Sequence, residues 1–100
     1  MIKIMIVDDE TPARNQIRNE LLRMGIDEKS LLEAQNGVAA LGKAKDNKID
    51  ILITDISMPR MPGIDLAKHI LALYPDCKII FLTGYSDKEY LKAAIKLNVI

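Results

Sequence analysis

Cysteine, histidine and net charge are all scarce in this sequence, and each shortage excludes a class of protein. Cys77 is the single cysteine, which rules out an internal disulfide framework. Because His69 is the single histidine, the chain has too few ligands for a cysteine–histidine zinc site. The 14 basic and 14 acidic side chains cancel, so the composition gives no reason to expect a nucleic acid or an anionic membrane as a partner.

Long apolar runs and several catalytic signatures are also missing. No apolar run approaches the ~20 residues that a membrane span needs, and the first run, Ile4 to Val7, is too short for a signal peptide. The sequence contains no glycine-rich phosphate loop and nothing that resembles a serine or cysteine triad. What is present, 100 residues of which 49% are hydrophobic and 28% charged, predicts one globular, cytoplasmic domain.

Four short apolar runs alternate with helical patterns along the chain. The runs cover residues 1–7, 31–34, 49–56 and 78–83, and short runs of this kind are typical of strands buried on both faces. Strand–helix repeats of this length need crossover connections, which indicate a parallel sheet with helices on both faces. We therefore predict an α/β fold with a doubly wound parallel sheet.

The helix after the first strand has clear start and stop signals. We predict that the Thr11 hydroxyl caps its first turn, beside a proline, and that Gly25 ends it. Residues spaced by four, four and three predict its apolar face, which consists of Ala13, Ile17, Leu21 and Met24. Further helices are predicted over residues 38–45, between the loop 57–63 and Tyr74, and after the capping box at residues 86–89.

Polar residues end three of the predicted strands. Asp8 and Asp9 follow the first strand, Asp55 ends the third, and Thr83 and Gly84 end the fourth. Because ligands of open parallel sheets bind at the carboxyl ends of the strands, we expect these residues to share one edge. If the first and third strands are neighbours, the three carboxylates lie close enough to need a proton or a cation between them. Oxygen-only ligands favour a hard ion, and such a site suits Mg²⁺.

Each of these residues also has a simpler interpretation. A lone aspartate after a strand is often a helix cap, but this interpretation weakens when an acidic pair and a third acid end separate strands. In the simpler interpretation, Thr83 is an ordinary turn hydroxyl and Gly84 provides a tight turn. The small size of Gly84 would also leave a pocket open. His69 is predicted to be a surface or partly packed residue, and Cys77 a structural one.

Four motifs in this order resemble the receiver domain of two-component response regulators. They are Val7-Asp8-Asp9-Glu10, Thr54-Asp55-Ile56-Ser57-Met58-Pro59, Met61-Pro62-Gly63 and Phe81-Leu82-Thr83-Gly84, and the resemblance runs from residue 1 to residue 100. It implies a flavodoxin-like (CheY-like) fold with strand order 2-1-3-4-5. The continuation after Gly84 is most similar to receivers joined to AraC-type DNA-binding output domains.

The resemblance also implies a role for each residue of the predicted site. Asp55 matches the aspartate that accepts a phosphoryl group from a sensor histidine kinase. Asp8 and Asp9 match the acidic pair that holds Mg²⁺, with Asp9 the more direct ligand, and Asp55 and the backbone carbonyl of Ser57 match the other metal contacts. Thr83 matches the hydroxyl that moves to contact the phosphoryl group. The implied function is a phosphorylation-dependent switch that controls transcription.

The pattern of the family continues beyond Ile100. By spacing, a strand-five lysine, a switch aromatic and a fifth helix would all follow that residue, so we expect residues 1–100 to be a receiver domain truncated at its C-terminal end. DNA contact would then require an output domain outside this chain. Without a fifth strand, strand 78–83 would lie at the sheet margin, where unpaired N–H and C=O groups favour pairing with a second copy.

Two alternatives from other classes stay open. A metal-binding interaction module would hold a cation at the same acids without being phosphorylated. A Mg²⁺-dependent aspartyl-phosphate hydrolase would also use a strand-end aspartate, but it normally carries an Asp-x-Asp pair, and Ser57 occupies the second position here. We expect that the chain is not an enzyme, beyond autocatalytic phosphotransfer and self-dephosphorylation.

Overall fold

The computed structural model describes residues 1–82, in which four strands alternate with three α-helices. In chain order these are β1 (Ile4–Val7), α1 (Thr11–Arg23), β2 (Leu31–Ala34), α2 (Gly37–Ala44), β3 (Ile51–Asp55), α3 (Gly63–Leu73) and β4 (Lys78–Leu82), with a short 3₁₀ turn, Glu28–Ser30, before β2. Thr83, Gly84, the helix predicted after residue 86 and the expected start of a fifth strand all lie outside the described residues.

The four strands form one parallel sheet in the order β2-β1-β3-β4. This order agrees with the flavodoxin-like order that the resemblance implies, as far as the fourth strand. Val7, the last residue of β1, pairs with Ala34 on one side and with Thr54 on the other. The residues that follow β1 and the last residue of β3 therefore start from neighbouring positions at one edge of the sheet.

Apolar side chains cover both faces of the sheet, as the doubly wound prediction requires. Helices α2 and α3 pack on one face, where the fully buried residues include Met5, Leu52, Ala40, Leu66 and Ile70. Helix α1 packs on the other face. There its side chains Ile17, Leu21 and Leu22 cover Ile4 and Ile53. Every residue of β1 is buried, which confirms that this strand is covered on both sides. Among residues 1–82, no helix is both long and apolar enough to cross a membrane.

The ends of α1 differ from the sequence prediction in two ways. Thr11 is not the cap but the first helical residue, because the turn after β1 places Glu10 at the cap position. The Thr11 hydroxyl instead accepts a hydrogen bond from Nη2 of Arg14 at 3.1 Å. Met24 does not continue the apolar face: the helix ends at Arg23, and Met24 is 74% exposed. Gly25 ends the helix as predicted, with a φ of 96° that favours glycine.

Strands β1 and β3 are shorter than their apolar runs. The chain before β1 is held by Asp50, whose Oδ2 accepts a hydrogen bond from the backbone N–H of Lys3 at 2.8 Å. The Lys3 carbonyl in turn accepts bonds from the N–H groups of Asp50 and Ile51. Regular pairing therefore begins only at Ile4 and Ile51. In the described part of the sheet β4 has β3 as its one neighbour, and self-association through strand 78–83 stays a prediction.

Candidate functional site

Three carboxylates meet at the edge of the sheet where β1 and β3 end. One oxygen each from Asp8, Asp9 and Asp55 lies within 4.8 Å of the others. The cause is the register of the two strands, because Val7 lies opposite Thr54 and the acids follow directly. The convergence expected from the strand-end acids is therefore present in the structure.

Asp8 is buried, at 7% exposure, and its N–H, its carbonyl and one carboxylate oxygen are bound by the protein. Its N–H donates to the carbonyl of Ala34 at 3.2 Å, which extends the pairing of β1 with β2. Its Oδ1 accepts from the N–H of Glu10 at 2.9 Å, and its carbonyl accepts from Nη1 of Arg14 at 2.7 Å. Asp8 is thus fixed in the site, whereas the next residue, Asp9, is exposed and accessible to a ligand.

Asp55 is half-buried, and its surroundings disfavour the ionised carboxylate. Burial raises the pKa of Asp55 above the ordinary carboxyl value of 3.8, and the charge of Asp8 raises it further. The N–H groups of Ser57 and Ile56 oppose this rise in the pKa, and Asp9 adds a smaller increase. The bond from the Ser57 N–H to Oδ1 of Asp55 is long, at 3.4 Å. The charges of Asp8 and Asp9 thus disfavour the ionised form of Asp55, and a cation among the three acids would offset this effect.

Gly63, the first residue of α3, packs against the backbone of the strand that carries Asp55. A Cβ atom on Gly63 would lie 2.0 Å from the Asp55 carbonyl oxygen and 3.1 Å from the Cα of Ile56. The Gly63 N–H also donates to the carbonyl of Ile56 at 2.8 Å. Only a residue without a side chain allows this approach. Gly63 belongs to the Met61-Pro62-Gly63 motif, but the spacing of that motif does not predict that Gly63 contacts the backbone of Asp55.

The loop between β3 and α3 forms one wall of an open cleft beside the acids. The cleft has a volume of about 250 Å³ and is lined by Asp9, Gln35, Asn36, Pro59 and Arg60. Arg60 has a φ of 72°, in the left-handed region that favours glycine. Of the three acids, Asp9 is the one that lines this cleft.

The other residues singled out in the sequence fall in three groups. Ser57 is the second residue after the end of β3 and is exposed, with its N–H towards Asp55. His69 is exposed and Cys77 is a buried free thiol, as their structural interpretations predict. Thr83 and Gly84 lie outside the described residues, so their roles stay predictions.

Comparison with protein families identifies the class to which this fold and site belong. The family described as the response regulator receiver domain matches residues 4–100. The chain belongs to this family. Receiver domains are the phosphorylated modules of two-component systems, so the class implies a two-component phosphorylation switch.

Individual relatives agree with this class. The transcriptional regulatory protein HptR of Staphylococcus aureus strain N315 is 36% identical over 100 residues, which are 100% of this chain and 39% of that protein. The chain thus spans about two fifths of the length of the curated relatives it matches.

Two solved structures are similar in both sequence and fold. A two component transcriptional regulator AraC from Clostridium phytofermentans is 41% identical, with a TM-score of 0.82 over 92% of this chain and 74% of that one. TrrA from Thermotoga maritima, solved in complex with Mg²⁺-BeF, is 35% identical, with a TM-score of 0.82 over 95% of this chain and 80% of that one. The receiver-domain prediction, including its likeness to receivers of AraC-type regulators, is confirmed.

Proposed function

We propose that this chain is a signalling switch in which Asp55 accepts a phosphoryl group from a phosphohistidine of a sensor histidine kinase. The observation that supports it most is the convergence of Asp8, Asp9 and Asp55 at the carboxyl edge of a receiver-family sheet. Asp55 is half-buried and ends β3, whereas Asp9 is exposed and follows β1. We therefore assign acceptance of the phosphoryl group to Asp55, which would share the cation with Asp8 and Asp9.

The chemistry of the donor set fits Mg²⁺. All three side chains are carboxylates, and hard divalent ions prefer oxygen ligands. Asp8, Asp9, Asp55 and the backbone carbonyl of Ser57 are the groups that we propose would hold it. When bound, the ion would offset the charge of the acids and of the incoming phosphoryl oxygens.

Positioning is the main contribution that the chain makes to phosphoryl transfer. The Ser57 N–H donates a long bond to Oδ1 of Asp55, and a carboxylate oxygen of Asp55 would form the bond to phosphorus. The phosphorus–nitrogen bond of the donor breaks at the same time, and the imidazole leaves with that electron pair and takes up a proton. The product is an acyl phosphate on Asp55, which carries a charge of about −1.5 to −2.

We also propose how the modified domain acts. Thr83 would contact the phosphoryl group, and Gly84 would leave the pocket open. The added charge would bias the fold between two states that a partner distinguishes. The names of the curated relatives support control of transcription, exerted through an output domain that contacts DNA. On this account the domain is a substrate of its kinase and not an enzyme, apart from autocatalytic phosphotransfer and self-dephosphorylation.

Labelling by a small phosphoryl donor tests the proposal. Incubation with acetyl phosphate and Mg²⁺ should add the mass of one phosphoryl group to the intact chain, and Asp55→Asn should abolish the addition. Labelling of Asp55→Asn at the wild-type level would overturn the assignment of Asp55. A wild-type chain that binds Mg²⁺ through Asp9 yet is never labelled would instead indicate the interaction-module alternative.

A further inference from the structure

Arg14 links helix α1 to the acidic site by a direct bond to the backbone. Its Nη1 donates to the Asp8 carbonyl at 2.7 Å, and its Nη2 donates to the Thr11 hydroxyl at 3.1 Å. Its Nε lies 3.7 Å from Oε1 of Glu33 in β2. The Arg14 side chain is 14% exposed, so this guanidinium is largely removed from solvent while it makes these contacts.

The Asp8 carbonyl belongs to the peptide group that joins the two paired acids. Two further polar atoms of Asp8 are bound by backbone atoms, its N–H by Ala34 and its Oδ1 by Glu10. In the described residues, Arg14 is the side chain that binds the Asp8 carbonyl. Because rotation of this peptide plane would move Asp9 relative to Asp8, the bond from Arg14 restricts the relative position of the two carboxylates.

Glu33 holds Arg14 in place from the neighbouring strand. Its Oε2 also lies 3.5 Å from Nη1 of Arg18, one helical turn further along α1. On the other side of β2, Nζ of Lys43 in α2 donates to the Glu33 carbonyl. Glu33 is therefore bound through its backbone and its side chain, and two arginines share it. Only one of those arginines, Arg14, reaches the acidic site in the described part of the chain.

We propose that Arg14 is a positioning residue for the cation site, which acts by fixing the Asp8–Asp9 peptide. This inference rests on the proposed function, because it assumes that the acidic pair binds Mg²⁺. Groups that orient metal ligands contribute to affinity without contacting the metal, and their loss commonly weakens binding by about 10–100-fold. Arg14 would orient the acidic pair in this way, through its bond to the Asp8 carbonyl.

The charge of Arg14 alone would have the opposite effect. A guanidinium beside a cation site repels the cation, so on charge alone Arg14→Met would tighten Mg²⁺ binding and Arg14→Lys would leave it unchanged. If Arg14 acts by positioning, both variants weaken binding, because lysine keeps the charge but lacks the planar fork that spans Asp8, Thr11 and Glu33. The direction of the change therefore distinguishes the two effects.

Titration of the chain with Mg²⁺, followed by backbone amide chemical shifts, measures the affinity without any phosphoryl donor. We expect roughly 10–100-fold weaker binding for Arg14→Met and Arg14→Lys. Arg18→Met is the matched control, since Arg18 shares Glu33 with Arg14 but does not contact Asp8. It should keep wild-type affinity to within about twofold, because its ion pairs with Glu28 and Glu33 do not reach the acidic pair.

Three results of these titrations would decide whether Arg14 positions the acidic pair. Wild-type affinity in both Arg14 variants, or tighter binding by Arg14→Met, would overturn the positioning role. Equal weakening in Arg18→Met would also overturn it, because the effect would then come from loosening α1. Asp9→Ala, measured in parallel, tests the metal site itself: if it keeps wild-type affinity, the proposed function fails at the metal, whatever the Arg14 variants show. If Arg14→Met does not fold, Arg14→Lys carries the test, because it keeps the charge and the aliphatic stem.

Discussion

The Cα of Gly63 lies directly against the backbone carbonyl of Asp55, so close that a Cβ at Gly63 would lie 2.0 Å from that oxygen. Gly63, the first residue of α3, and Asp55, the last residue of β3, therefore pack directly against each other. The position of the Asp55 carboxylate depends on a residue eight positions later in the chain that carries no functional group.

We predict that Gly63→Ala disturbs the site and lowers the free energy of unfolding. The methyl group would push against the Asp55 backbone, and overpacking of this kind costs about 1–3 kcal/mol. Gly42→Ala in α2 is the control, because a Cβ there meets nothing within 4 Å. It should stabilise the helix by about 0.5–1 kcal/mol. Urea denaturation measures both variants, and a Gly63→Ala chain as stable as the wild type would contradict the close approach.

The raised pKa of Asp55 predicts how stability depends on pH without metal. The folded chain binds the proton of Asp55 more tightly than the unfolded chain does. The contribution of Asp55 to the free energy of unfolding therefore falls as the pH rises from 3.8 through the raised pKa of the folded chain. Asp55→Asn removes this unfavourable charge. The variant should therefore be more stable than the wild type at neutral pH, and the difference should shrink as the pH falls below that window.

Thermal unfolding of Asp55→Asn and of Asp46→Asn, an exposed acid after α2, tests this expectation. Asp46→Asn should change little at any pH, because surface substitutions commonly stay within about 0.5 kcal/mol. Added Mg²⁺ should reverse the order of Asp55→Asn and the wild type. At a concentration 100 times its Kd, the ion stabilises the binding-competent chain by about 2.7 kcal/mol. An Asp55→Asn chain less stable than the wild type at neutral pH without metal would contradict the account.

Cys77 should be unreactive in the folded chain. Burial raises the pKa of its thiol to about 11, while a backbone hydrogen bond at Leu52 lowers it slightly and the charge of Asp50 raises it. Since the thiolate is the reactive form, a shift from 9.0 to about 11 reduces reactivity roughly 100-fold below pH 9, before steric protection is counted. Iodoacetamide at pH 8 should therefore modify the native chain far more slowly than the chain in urea. Equal rates would show that Cys77 is accessible.

Much of this site follows from the sequence for a simple geometric reason. Parallel strands end at a common edge, so acids that end two apolar runs converge when those runs are neighbours, as Asp9 and Asp55 do. The resemblance to receivers supplied the strand order, which periodicity alone does not determine.

The contacts that fix the site were not predictable in the same way. The bond from Arg14 to Asp8 depends on how far α1 is rotated against β2, and the approach of Gly63 to Asp55 depends on the path of the loop between them. The wrong prediction for Thr11 has a related cause, since the turn after β1 decides which residue becomes the cap. These features come from tertiary packing, which local spacing does not encode.

The rate of phosphorylation as a function of Mg²⁺ concentration links the acidic pair to Asp55 in a single experiment. With acetyl phosphate as donor and intact mass as the readout, labelling of the wild type should depend on Mg²⁺ and saturate. Asp9→Ala should need much more Mg²⁺ for the same rate, and Asp55→Asn should not be labelled at any concentration. Labelling that is independent of Mg²⁺, or that persists unchanged in Asp9→Ala, would contradict the account.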